Sequence, residues 1–248
     1  MAVYKLFPEK DATLYSMFPT MNTGLDQIME TTATAFSPSG DPNPQVSRFL
    51  IQFNNAEIAS VLDDLVDDGS GTDYKAFLKL SSAQATGLAA DTTIDIHLTA
   101  KNWNMGTGLY LDDPATTNGT SWLFTDRSGS SRWITSFNDS GSGGISWTGS
   151  YVTSSVAAGG GQWVTNSPNS SILPHYTASV TFNYRSALDV TTDVTNLLYH
   201  WVGAGSHSLS DPQPTGSDIP NYGFLVKLSS GSEFQNTKDI QPELKYFS

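Results

Sequence analysis

Cysteine is absent, and the imidazoles open to general-base or soft-metal chemistry are those of His97, His175, His200 and His207. Thiolate catalysis and disulfides are thereby excluded. No G-x-S-x-G segment offers a serine on a strained elbow. His97 alternates with Ile94 and Ile96 and is expected to face solvent from a strand. His200 lies beside Trp201 in a helix-like run and is expected to be a packed or surface residue. No two histidines have zinc spacing. Asp63, Asp64, Asp67, Asp68 and Asp73 cluster in DDLVDDGSGTD, and hard cations favour several oxygens in a flexible loop. The spacing does not fit a D-x-D-x-D-G loop with a distal glutamate. A solvated acidic turn is therefore preferred to calcium at Asp63, Asp67 and Asp68; Asp112 and Asp113 make a weaker pair still. Gly159, Gly160 and Gly161 precede Gln162 and Trp163 without the lysine and hydroxyl of a phosphate loop, and read as positive-φ turns beside an aromatic anchor. Carboxylate pairs for glycoside cleavage are defined by separation in space, and no local motif marks one. No catalytic residue, cofactor or firm metal site emerges, so a non-enzymatic protein is expected.

The densest signal is aromatic. The block WNMGTGLYLDDPATTNGTSW runs from Trp103 to Trp122, and Trp133, Trp147 and Trp163 follow. Together with Tyr110 these rings have two uses. Exposed in a row, they would stack on sugar faces, with Asn, Asp and Gln binding hydroxyls. Buried, they would anchor an ordered loop or fill a protein interface, where Trp and Tyr are favoured. The second use is preferred. Trp103 and Trp122 are then the anchors, and Gly106, Gly108 and Gly119 set the turns between them.

Strands must position such a loop. Val3, Lys5 and Phe7 alternate ahead of Asp11 to Tyr15, residues 47–53 (SRFLIQF) form a dense apolar run suited to a central strand, and residues 74–80 and 93–98 alternate with period two. Residues 177–184, 222–228 and 242–247 complete the strand set. Helical signal is confined to residues 55–66, capped by Asn54 or Asn55, and 192–201, capped by Thr192 or Asp193, with Trp201 on the apolar face of the latter. Arg48 opens the apolar run at 47–53. Buried, it needs a carboxylate, for which Asp11 and Asp193 are candidates; a surface arginine at the strand start is the alternative. The fold expected is all-β: one antiparallel, jelly-roll-like β-sandwich domain over residues 1–248, with two short helices and a long Trp/Gly-rich insertion at 102–174.

Composition narrows the partners. Formal net charge is −12 with 12 basic residues, so no basic face exists to displace counterions from nucleic acid or to hold an anionic membrane. No stretch approaches the ~18 apolar residues of a membrane helix. MAVYKLFPEKDATLY lacks a secretory n-region and apolar core, so synthesis in a cytoplasm is expected.

In order along the chain, KDATLYSMFPTMNTG, SRFLIQF, YKAFLKL, LDVTTDVTNLLYHW, NYGFLVKL and PELKYF resemble the DNRLRE-type β-sandwich domain. That family opens with a D-A-T-hydrophobic-Tyr strand and an Asn-x-Gly turn, followed by an Arg-hydrophobic-Phe strand. The block from Trp103 to Trp122 and the later GGGQWVT are similar to virion structural proteins of T-even-like phages, notably those infecting cyanobacteria. The resemblance implies a structural role in a tailed-phage virion assembled in the host cytoplasm, with other virion proteins or further copies of the chain as partners. A module that binds a host-surface glycan is the alternative.

Overall fold

The computed structural model describes residues 3–34, 45–66, 74–88, 91–133, 146–149, 159–165, 177–183, 185–202, 220–233 and 242–248. The fold is all-β and sandwich-like. Its strands are β1 (Pro8–Tyr15), β2 (Ile28–Thr34), β3 (Gln45–Phe53), β4 (Phe77–Leu80), β5 (Ser82–Thr86), β6 (Thr92–Leu98), β7 (Phe124–Asp126), β8 (Ser131–Arg132), β9 (Ser146–Gly149), β10 (Gln162–Thr165), β11 (Thr177–Phe182), β12 (Val190–Asp193), β13 (Phe224–Leu228) and β14 (Glu243–Phe247). Helices α1 (Asn55–Val66), α2 (Thr195–Val202) and the single turn α3 (Ser230–Glu233) complete it. None of these helices is long and apolar enough to cross a membrane.

The dense apolar run at 47–53 becomes β3, the hub of the main sheet. One edge of β3 pairs antiparallel with β1 along its length. The other edge is shared, by β2 at residues 45–47 and by β13 at residues 49–51. From this fork the sheet runs one way through β13, β6 and β11, and the other way through β2, β14 and β5. The outer edge of β1 is plugged at its middle by a side chain: the Thr23 hydroxyl accepts from the Thr13 amide (2.9 Å) and donates to the Thr13 carbonyl (2.8 Å). Such plugging protects an edge against unwanted pairing.

Both faces of the centre are buried, because alternate residues serve two cores. Phe49 and Ile51 of β3, Ile94, Ile96 and Leu98 of β6, and Phe224, Val226 and Leu228 of β13 enter the first. There they meet Leu78 and Leu80 of β4, Val190 of β12, and Val194 and Leu197 at α2. Trp201 packs against this core with its ring 4.5 Å from Phe224. On the opposite face Ala12, Leu14, Val46, Leu50 and Leu225 meet Trp103, Trp122, Trp133 and Trp163. The described residues between β6 and β11 thus supply a second layer. Burial of one indole contributes roughly 4–6 kcal/mol at most, enough to hold a loop-rich segment against its conformational entropy.

Several boundaries differ from the sequence expectation. Residues 3–7 are not a strand; pairing begins at Pro8. Of residues 74–80 only Phe77–Leu80 pairs. Helix α1 spans the predicted 55–66, with Asn54 Oδ1 accepting from the amides of Ala56 and Glu57. Thr192 and Asp193 belong to β12 instead of capping the first turn directly, although Asp193 Oδ1 accepts from the Thr195 amide at 2.9 Å.

Candidate functional site

Four tryptophans staple the layer between β6 and β11 to the sheet. Trp103 donates through Nε1 to the Tyr222 carbonyl (2.8 Å), and the Lys10 ammonium sits 4.4 Å from its ring centroid while bonding the Trp103 carbonyl (2.7 Å). Trp133 donates to the Ser121 carbonyl (2.9 Å). Trp122 and Trp163 both meet Arg48, with the guanidinium carbon 5.1 and 5.2 Å from their ring centroids. The glycine triplet lets the chain pass this close. All three have positive φ, and a Cβ on Gly160 would lie 2.6 Å from the Trp122 ring.

Asn22 organises the Trp103–Trp122 block. Its amide is buried and fully used. Nδ2 donates to the carbonyls of Met105 (2.7 Å) and Thr120 (2.8 Å), and Oδ1 accepts from the amides of Gly108 (2.7 Å) and Gly24 (3.3 Å). The glycines singled out in the sequence crowd around it. A Cβ on Gly106, Gly108 or Gly119 would come within 2.4–2.5 Å of Asn22 atoms. Gly106 and Gly119 have positive φ, whereas Gly108 does not; what the three share is that they yield space to one asparagine. Sequence reasoning missed Asn22; its signal was the Asn22-Thr23-Gly24 segment, which entered only as the Asn-x-Gly turn of the family resemblance.

Arg48 is 1 % exposed, and its carboxylate partner is Glu233 in α3. Asp11 instead accepts from the Ser248 hydroxyl, and Asp193 serves the α2 turn. The reason is the alternation of β3: Arg48 points into the tryptophan core, towards α3. Its Nε and Nη2 take both Glu233 oxygens (2.9 and 3.0 Å) in a bidentate fork, and Nη1 bonds the Gly160 carbonyl (2.8 Å). Lys227 of β13, also buried, reaches Glu233 Oε2 (3.3 Å) and the Leu228 carbonyl (2.6 Å). Burial holds the Lys227 amine below its ordinary pKa, with Glu233 pulling the other way. His97 lies on this same face and is buried, contrary to the solvent-facing expectation. The tryptophan layer covers what a two-layer sandwich would leave open. The imidazole lies 5.6 Å from the Trp163 ring and bonds Thr177 Oγ1, and burial beside Lys227 and Arg48 lowers its pKa to about 3. This cluster is sealed from solvent, with side-chain exposures of 0–2 % for the three charged residues, so it offers a substrate no access.

Trp103, Trp122, Trp133 and Trp163 are thus buried anchors and present no stacking row to a sugar. Tyr110 alone among the aromatic candidates described is exposed. Trp147 falls in β9, with its side chain outside the described residues, as are the Asp63 side chain, Asp67, Asp68, His175 and His207. Among the described residues no group of three His, Asp or Glu side chains is placed to hold a metal.

What the layer does leave outside is apolar. Leu109 (48 %), Tyr110 (47 %) and Leu111 (59 %) are three consecutive exposed residues, and Met17 and Leu25 extend the patch. The tip is held in place from several sides. Tyr110 packs on Tyr15 and Phe18, its amide bonds Asp26, and the Leu25 amide bonds the Gly108 carbonyl. Leu111 has φ +56°, an unfavourable conformation for a branched side chain. Asp26, Glu30 and Asp112 give the patch an acidic rim; Lys245 lies 3.6 Å from Glu30. A separate open groove of about 450 Å³ runs past Lys101, Asn104, Asp126 and Tyr222. Its polar groups are largely engaged: Lys101 bonds the Arg132 carbonyl and Asn104 bonds Asp126.

No protein-family model matches the chain, and neither a curated protein nor a solved structure matches it.

Proposed function

We propose that this chain is a non-enzymatic structural protein of a tailed-phage virion, docking on neighbouring head, neck, tail or baseplate proteins. The observation that carries the docking role is the exposed tip Leu109–Tyr110–Leu111 on an otherwise firmly stapled layer. Apolar patches of this kind on an ordered scaffold are characteristic of interaction sites. The sealed Arg48–Glu233–Lys227 cluster supports a rigid role, because its charges are spent on joining β3, β13 and α3. The virion context rests on the order of sequence segments that resemble virion proteins. The glycan reading is weakened by the burial of four of its rings.

Mass spectrometry of purified tailed-phage particles from cells producing the chain tests this reading. The polypeptide is expected at stoichiometric abundance relative to other virion proteins. Its absence from particles, or binding to a glycan array that is lost on Tyr110→Ala, would overturn it.

A further inference from the structure

We propose that copies of this chain associate head to tail, residues 3–7 of one copy seating on the Met17, Leu25 and Leu109–Leu111 patch of the next. The proposal deepens the docking reading above and rests on it. Residues 3–7 lead into β1 as a second exposed apolar feature: Val3 is 74 %, Tyr4 45 % and Phe7 76 % exposed. Lys5 is exposed among them and is the segment's only charge. In a chain of net charge −12 this apolar, singly basic segment suits an apolar patch whose rim carries Asp26 and Asp112 beside the Glu30–Lys245 pair. Within one copy the segment does not seat on the patch, since Val3, Tyr4 and Phe7 stay exposed. The two surfaces are different, so the contact is heterologous, of the kind that propagates from copy to copy.

A five-residue segment buries less area than a standard interface, so the contact is weak in free solution. Sedimentation velocity on the full chain from roughly 10 µM to roughly 1 mM covers the range in which such a contact half-forms. The weight-average mass is expected to rise with concentration, less steeply at high salt, where Lys5 is screened. Phe7→Asp and the double variant Leu109→Asp/Leu111→Asp are each expected to stay monomeric. Both alter exposed positions, and unchanged melting temperatures check that folding is intact. The decisive arm mixes the two variants. Each retains one intact surface, so the mixture is expected to form a 1:1 dimer that grows no further. A wild-type chain monomeric at 1 mM, a mixture that stays monomeric, or a Phe7→Asp chain that associates like wild type would overturn the proposal. Wild type that stays monomeric while Leu109→Asp/Leu111→Asp is lost from particles would defeat self-association and leave docking on another protein standing.

Discussion

Replacing Glu233 by glutamine removes one charge and almost no volume, which isolates the electrostatics of the buried cluster. Glu233 is 0 % exposed at its side chain, Arg48 1 % and Lys227 2 %. In Glu233→Gln the amide nitrogen faces donors, and two buried cations lose the carboxylate that, among the described residues, alone lies within bonding distance. Breaking a buried pair from one side costs about 3–5 kcal/mol. For a domain of this size each kcal/mol moves the midpoint by roughly 2–4 °C, so Tm should fall by about 6–20 °C. The deficit carries a pH signature. Lys227 already sits below its ordinary 10.5, and losing Glu233 lowers it further. Between the folded pKa and 10.5 the unfolded chain binds more protons, so stability rises with pH in that window. Differential scanning calorimetry from pH 7 to pH 10 should therefore show the variant's deficit shrinking as pH rises. Replacing all three charges by apolar residues, Arg48→Met with Lys227→Met and Glu233→Leu, should recover part of the loss, because no unpaired charge remains. A Glu233→Gln protein melting within about 2 °C of the parent, or a deficit that grows with pH, would refute the reasoning.

Two further perturbations address other parts of the layer. Asn22→Asp keeps the acceptor but cannot donate to the Met105 and Thr120 carbonyls; it should cost about 2–4 kcal/mol, with hydrogen exchange rising first in residues 104–120. His97 is held neutral to about pH 3 in the fold but titrates near 6.5 when unfolded, so it makes stability fall with acidification between those values, by at most about 1.4 kcal/mol per pH unit. Denaturant melts of His97→Gln should lose this component. Comparison with the parent cancels the opposite contribution of Asp11, Asp26 and Glu30, whose carboxyls burial holds above their usual range.

The scaffold was legible where one residue type dominates a period. SRFLIQF becomes the doubly buried β3, and NAEIASVLDDLV becomes α1. β2 was missed because IMETTAT buries Met29, Thr31 and Ala33, a face that alternates in position but hardly in hydropathy. That Arg48 needs a carboxylate followed from its apolar surroundings; that the carboxylate is Glu233, 185 residues away, depends on tertiary topology that local spacing does not encode. Lys227 within YGFLVKL carried the same signal as Arg48, a cation inside an apolar strand. His97 was misjudged for one physical reason: alternation identifies which side chains share a face, but not whether a further layer covers it. The Trp103–Trp122 block is anchored by its two buried tryptophans, as read; Gly106 and Gly119 have positive φ, while Gly108 is a close approach to Asn22. The asparagine they enclose lies some 80 residues earlier in the chain.

The docking role is tested most directly by counting copies of Leu109→Asp/Leu111→Asp in purified particles against wild type by quantitative mass spectrometry. The variant should melt like wild type, since both side chains already face solvent, yet be depleted from particles at least about tenfold, the equivalent of 1.4 kcal/mol of lost contact. A folded variant incorporated at the wild-type copy number would contradict a docking function for this tip.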